Sequence, residues 1–223
     1  MNPSLSGGLQ SPIVATLVFS AVAALLALLM GASPASVRKT GIVALPIALL
    51  AALVLVVEGY VLLGGTMLVA AVAEMLLVQD RLAAYVTGLG VMLAVRVAYA
   101  VLFSLGTHSG LLTAEIWRGA AVVAIALAGA AFVWRVFPYA GPLRWPAVIF
   151  GIVDVVLCVA AAGLHPPFVF LGVVIVAAAD VGTAAERFLW PSDRETPAAV
   201  VRLTWLGRYV GQALIALTAL RII

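Results

Sequence analysis

Residues 83–105 read AAYVTGLGVMLAVRVAYAVLFSL, an apolar run with a single charge, Arg96, near its middle. A helix needs about 20 mostly apolar residues to cross the hydrocarbon of a bilayer, and this run is long enough. The rest of the chain repeats the pattern. Of its 223 residues, 65% are apolar and 9% are charged, where a soluble domain carries roughly a quarter charged residues. Such a chain cannot cover its own surface with polar groups, so lipid is its outer solvent. The fold class is therefore all-α integral membrane, a bundle of about eight transmembrane helices with short loops, in one transmembrane domain over residues 1–223.

The apolar runs place helices at about 12–33, 40–57, 62–79, 83–105, 117–136, 146–164, 167–187 and 201–221. Turn chemistry fills the gaps. Gly31-Ala-Ser-Pro34 ends the first helix, and Gly59 and Gly64-Gly65 separate the second from the third. Gly106-Thr-His-Ser-Gly110 follows the fourth, Pro138-Tyr-Ala-Gly-Pro142 the fifth and His165-Pro-Pro167 the sixth. Pro191-Ser-Asp-Arg-Glu-Thr-Pro197 is the most polar segment and reads as a loop. The first run, from Pro12 to Ser33, has no Lys or Arg before it and is too long for an ordinary signal core, so it reads as a spanning helix.

The basic residues set an expected orientation. Arg38, Lys39, Arg81, Arg135, Arg144, Arg187, Arg194 and Arg202 fall on one side, and only Arg118 and Arg221 on the other. The first side is expected to be cytoplasmic in the cell (inner) membrane, with both termini on the opposite face. A formal charge of +3 with cations scattered at helix ends does not point to nucleic acid. Cys158 is the only cysteine, which excludes an internal disulfide and a thiolate metal site, and it reads as a small core residue. Tyr60, Trp117, Trp134, Tyr139, Trp145, Trp190 and Trp205 fall near helix ends, where an aromatic belt is expected. His108 and His165, with Glu58 and Glu115, read as ordinary loop residues in preference to a metal site. No metal or organic cofactor is expected.

Ionisable groups at membrane depth are costly and are functional candidates by default. They are Glu74, Arg96, Asp154 and Asp180. At 1.5 Å rise per residue, Glu74 lies roughly 8 Å from the cytoplasmic helix end, Asp180 roughly 10 Å and Asp154 roughly 12 Å. Tyr209 and Gln212 come at roughly 12 and 16 Å, and Arg96 near 20 Å. These depths suggest a polar pocket in the cytoplasmic half with Arg96 as its floor. Carboxylates held close in a poorly solvated pocket cannot all ionise. One is then available as an acid and its neighbour as a base. A plainer alternative is that Arg96 neutralises a carboxylate as a buried ion pair holding helices together, and the two roles are compatible. Arg187, Arg202 and Arg208 either hold a lipid phosphate or only set topology.

At these residues the chain resembles the YhhN-type lysoplasmalogenase family of eight-helix membrane proteins, over roughly residues 38–220. Lys39-Thr40 stands where that family opens its second helix with Lys-Pro, and Ala73-Glu74 where it has Gly-Asp. Arg96-Val-Ala-Tyr99 stands for His-x-x-Tyr, and Ala179-Asp180 for Ser-Asp. Tyr209-Val-Gly-Gln212-Ala-Leu-Ile215 matches the family's last-helix pattern. The resemblance implies hydrolysis of the vinyl ether bond of a lysoplasmalogen to a fatty aldehyde and a glycerophospho-alcohol. It implies Glu74 and Asp180 as the acid/base pair with Asp154 in support. Tyr209, Gln212, Tyr99 and Arg96 would position the substrate, and Lys39 and Arg208 would meet its headgroup. The implied partner is a lysophospholipid or other single-chain lipid within the bilayer; oligomeric state is not read. Two other classes fit the same residues: a non-catalytic lysolipid-binding protein and a proton-coupled transporter. No clear internal repeat favours the transporter.

Overall fold

The computed structural model describes residues 10–30, 36–56, 60–79, 81–106, 115–165, 167–189 and 197–222. Among them are eight α-helices: α1 (Gln10–Met30), α2 (Val37–Val56), α3 (Val61–Leu77), α4 (Leu82–Gly106), α5 (Ile116–Val136), α6 (Arg144–Ala162), α7 (Pro167–Leu189) and α8 (Ala198–Ala219). A 3₁₀ turn, Gly141–Leu143, leads into α6. No strand occurs among the described residues. The segments read as turns at 31–34, 59, 107–110 and 191–196 lie outside them, as do Glu58, His108, Trp190 and Arg194.

The helix ends depart from expectation for local reasons. α2 begins earlier than residue 40 because Ser36 caps it: the Lys39 N–H donates to Ser36 Oγ at 3.2 Å. α8 begins at Ala198 because the Pro197 carbonyl accepts the first helical bond, from the Val200 N–H at 2.8 Å. Arg38, Lys39 and Arg202 are thus helical, not loop, residues. Trp205 consequently lies well inside α8. It is buried at 6% exposure, against its expected place in the belt. Trp117, Trp134, Tyr139 and Trp145 are exposed.

Six helices, α1, α2, α4, α5, α6 and α7, are long and apolar enough to cross a membrane, and the chain is a multi-pass helical membrane protein. α3 is apolar apart from Thr66 and Glu74 but shorter, at 17 residues. α8 has the length, 22 residues, but its Thr204, Arg208 and Gln212 lower its apolarity. All three side chains are buried.

The chain forms two compact units, Met1–Met92 and Leu93–Ile223. In the first, α1 packs on α2 and α2 on α3. The facing residues are small or branched, such as Ala23, Ala27, Ile47, Leu50 and Val54, all buried. The Ser20 hydroxyl donates to the Pro46 carbonyl at 2.9 Å, joining α1 to α2.

In the second unit, α7 and α8 lie against each other along a seam of small residues. A Cβ on Gly172 would sit 2.7 Å from the Gly211 carbonyl oxygen, and one on Gly211 would sit 2.5 Å from the Gly172 carbonyl oxygen. Only glycine permits this backbone approach, the device by which membrane helices associate where lipid supplies no hydrophobic drive. Further along, Ala179 faces Gly207, whose added Cβ would lie 3.1 Å away. The seam therefore sets the register of Asp180 and Gln212, each adjacent in sequence to a seam residue.

Arg118 opens α5 and closes α6. Its Nη1 donates to the carbonyls of Ala162 and Leu164 at 3.3 and 2.5 Å, and its Nη2 to that of His165 at 3.2 Å. These carbonyls lie at the end of α6, where helix geometry leaves them without backbone partners. Arg118 is buried at 5% exposure, so it caps a helix besides contributing to charge asymmetry.

Gly211→Val forces the α7–α8 backbones apart and is expected to cost about 1–3 kcal/mol. That is a drop of roughly 5 °C in the thermal unfolding of the detergent-solubilised protein. Gly119→Val, at a helical glycine with open space around it, is the control and should stay close to the parent.

Candidate active site

The site in the second unit is built on the half of α4 that belongs to it. Arg96, Tyr99 and Phe103 recur at helical spacing and share one face. All three are buried, Arg96 at 1% exposure and Tyr99 at 0%. Such a guanidinium must find its partners within the protein, because hydrocarbon offers none.

Those partners come from α6 and α7. Arg96 Nε and Nη2 both donate to Asp180 Oδ2, at 3.1 and 2.6 Å. Asp154 Oδ1 stands 3.6 Å from Arg96 Nε, near enough for an ion pair. The two carboxylates are thus held unequally. Asp180 is locked by two charge-assisted hydrogen bonds, which are roughly twice as strong as neutral ones. Asp154 Oδ1, buried, has no hydrogen-bond partner among the described residues, and neither has Arg96 Nη1. One buried cation therefore faces two carboxyl groups, with an acceptor and a donor still uncommitted. Buried polar atoms are rarely left so, and a site that receives a polar ligand accounts for it.

One turn along α4, the Tyr99 hydroxyl donates to Gln212 Oε1 on α8 at 2.6 Å. Tyr99 also stacks on Phe103, with ring centroids 5.6 Å apart. Arg96 and Tyr99 together tie α4 to α6, α7 and α8. The expected residues thus fall into two groups one turn apart on α4, Arg96 with Asp154 and Asp180, and Tyr99 with Gln212.

Of the remaining candidates, Glu74 and Lys39 belong to the first unit and Arg208 and Tyr209 to the second. Glu74 is buried at 1% exposure on α3 of the first unit. Lys39 is in the first turn of α2, in the same unit. Tyr209 is partly exposed on α8 and stacks on Trp205 at 5.8 Å. Arg208 is buried at 9% exposure, and its Nη1 donates to Thr183 Oγ1 on α7 at 3.2 Å. Glu115 pairs with Arg118 at 3.4 Å in the first turn of its own helix and accepts from Trp117.

Two residues near the network were not singled out for it beforehand. Thr183 carries no signal in sequence except its helical spacing from Asp180. Cys158 lies one turn from Asp154 on α6, on the same face, and is a fully buried free thiol.

The unequal grip on the carboxylates has a measurable consequence. Removing one partner of a buried ion pair costs about 3–5 kcal/mol. Asp180→Asn is therefore expected to lower stability in mixed-micelle denaturation by about that amount, and Asp154→Asn by less than half of it. Equal losses would show that the two carboxylates share Arg96 evenly.

Among curated proteins and among solved structures, no match to the chain was found. The sequence model of the YhhN family matches residues 36–219, which takes in α2 through α8 and every residue of the Arg96 network. This buried network of one arginine and two aspartates, on helices matched from end to end, is that of a member of the YhhN family.

Proposed function

We propose that the protein is a lysoplasmalogenase-like hydrolase, cleaving the vinyl ether bond of a lysoplasmalogen at the buried cluster around Arg96. The observation that carries this is the division of labour between the two aspartates: Asp180 doubly bound by Arg96, Asp154 with a carboxyl oxygen uncommitted. Vinyl ether hydrolysis needs that division. A proton must be delivered to the carbon of the double bond remote from oxygen, giving an oxocarbenium ion. An anion must stabilise that ion and take a proton from the attacking water.

Asp154 is the proton donor in this reading, because its Oδ1, facing Arg96 Nε at 3.6 Å, gives up no hydrogen bond when it turns to a substrate atom. Asp180 is the anion, with Arg96 holding it in place and its second oxygen available to the water. The hemiacetal formed then collapses, its carbon–oxygen bond to the glycerol breaking to release a fatty aldehyde and a glycerophospho-alcohol. One water is consumed and the proton is returned. Tyr99 and Gln212 orient the ether oxygen or the water. In place of the Glu74–Asp180 pair that the resemblance implies, the acid/base pair proposed is Asp154 and Asp180, while Arg208 and Tyr209 keep the headgroup and positioning parts that the resemblance gives them. A lipid with one long chain suits a site carried on membrane-spanning helices. The basic helix ends are proposed to face the cytoplasm.

The reaction is tested by aldehyde release from a lysoplasmalogen in micelles by the purified protein. Asp154→Asn and Asp180→Asn are each expected to lower kcat by about 100-fold or more, the usual range for a lost acid or base. Glu74→Gln is assayed alongside. Absence of aldehyde, with a lysolipid co-purifying, would favour a binding protein built on the same ion pair. Full activity in Asp180→Asn would sink the residue assignment. Orientation is checked by reporter tags at the two ends, which should report the same, non-cytoplasmic, face.

A further inference from the structure

α5 and α6 enclose a second feature, unconnected with the proposed reaction. An open groove of about 740 Å³ runs between them. Ala126, Gly129, Val133 and Phe137 line it from α5 and the residue after it, and Gly151 and Val155 from α6. The lining is almost wholly apolar. The helices meet most closely at the floor, where a Cβ on Gly151 would lie 3.2 Å from Val133 Cγ2. They splay at Gly129, where an added Cβ would meet nothing within 4 Å.

The groove has its back to the Arg96 network. Val148, Gly151, Ile152 and Val155 of α6 recur at helical spacing on the groove side, and at 100° per residue Asp154 points roughly 120° away from them. Its length is that of one leaflet. From Ala126 to Phe137 the helix rises roughly 16 Å, against about 15 Å for half the hydrocarbon core.

The end of the groove is charged. Phe137 lies at that end, and the Arg144 guanidinium lies over its ring at 5.6 Å, with Trp145 edge-on to the same ring at 5.8 Å. Arg135, over Tyr139 at 5.9 Å, stands roughly 170° around α5 from the groove-lining residues and is not part of that end. Both arginines are exposed, and neither has a carboxylate partner among the described residues. The rings hold the guanidinium groups and leave their N–H donors free to accept an anion. Trp134 flanks the groove at 85% exposure, as an interfacial residue would.

We propose that the α5–α6 groove is a binding site for an anionic phospholipid, one acyl chain lying between the helices and the phosphate held by Arg144. An apolar slot one leaflet deep, ending in an unpaired guanidinium group, matches the two ends of that molecule. A second copy of the chain would bring the same cation to the same end, where the two repel.

The test uses the full chain in nanodiscs of equal parts phosphatidylglycerol and phosphatidylcholine, with retained lipid counted by native mass spectrometry. The parent should keep phosphatidylglycerol in preference. Arg144→Gln is expected to reduce that preference about 5-fold, and Arg135→Gln, on the other face of α5, to leave it nearly unchanged. Gly129→Leu, which fills the groove where there is room for it, should lose the retained lipid, while Gly65→Leu, at an equally open glycine on α3, should keep it. A photoreactive phosphatidylglycerol on the parent protein gives a readout independent of any variant's folding, and its adducts should concentrate on residues 126–156. Adducts spread evenly over the helices, or unchanged retention in Gly129→Leu, would overturn the proposal. So would a dimer that Gly129→Leu dissociates without altering lipid retention.

Discussion

A guanidinium cannot be left alone among membrane helices. Arg96 sits in the middle of an otherwise apolar α4, and the architecture of the second unit answers its charge. Asp180 of α7 and Asp154 of α6 are both brought to it, and the turn of α4 that carries it also places Tyr99 against Gln212 of α8. Four helices thus converge on one point for an electrostatic reason. Buried ion pairs are poor sources of stability, and well-packed apolar residues in place of the whole cluster would serve the fold as well. Beside it stand an uncommitted carboxyl oxygen and an uncommitted guanidinium nitrogen, the groups that the proposed reaction uses.

The precision of that point depends on something quite different in character. Glycines at 172 and 211 let α7 and α8 approach until backbone meets backbone. A contact of this kind tolerates little sliding, because every neighbouring position places a Cβ where a carbonyl oxygen sits. Asp180 and Gln212 inherit that register. Close packing of small residues thus supplies rigidity, and the polar side chains supply the groups of the proposed reaction. Arg118 adds a third device, joining the start of α5 to the carbonyl end of α6. α5 is otherwise little buried, which leaves its outer surface to the lipid.

Much of this was legible in the chain before any coordinates. Apolar runs located all eight helices to within a few residues, because the bilayer imposes one length and one composition on every span. The deviations came at the ends, where a single hydrogen bond decides. Ser36 and Pro197 start α2 and α8 early, and so turn Arg38, Lys39 and Arg202 from loop residues into helical ones. Trp205 shows the limit of reading by position, since proximity to a helix end suggested an interfacial ring and the observed helix start buries it. Arg118 looked like a topology signal because nothing in sequence tells a charge in water from one folded over a neighbouring helix.

Sequence by itself determined that this is a helical membrane protein of the YhhN family. It also picked out Glu74, Arg96, Asp154 and Asp180 as its exceptional residues, since a charge in an apolar run is conspicuous without knowledge of its neighbours. Only the tertiary structure decided which carboxylate Arg96 grips and which it merely faces. Helical depth ranks residues along one axis, while hydrogen bonds depend on the rotation of each helix about its own. That rotation is set by packing between α7 and α8, at residues tens of positions apart in the chain.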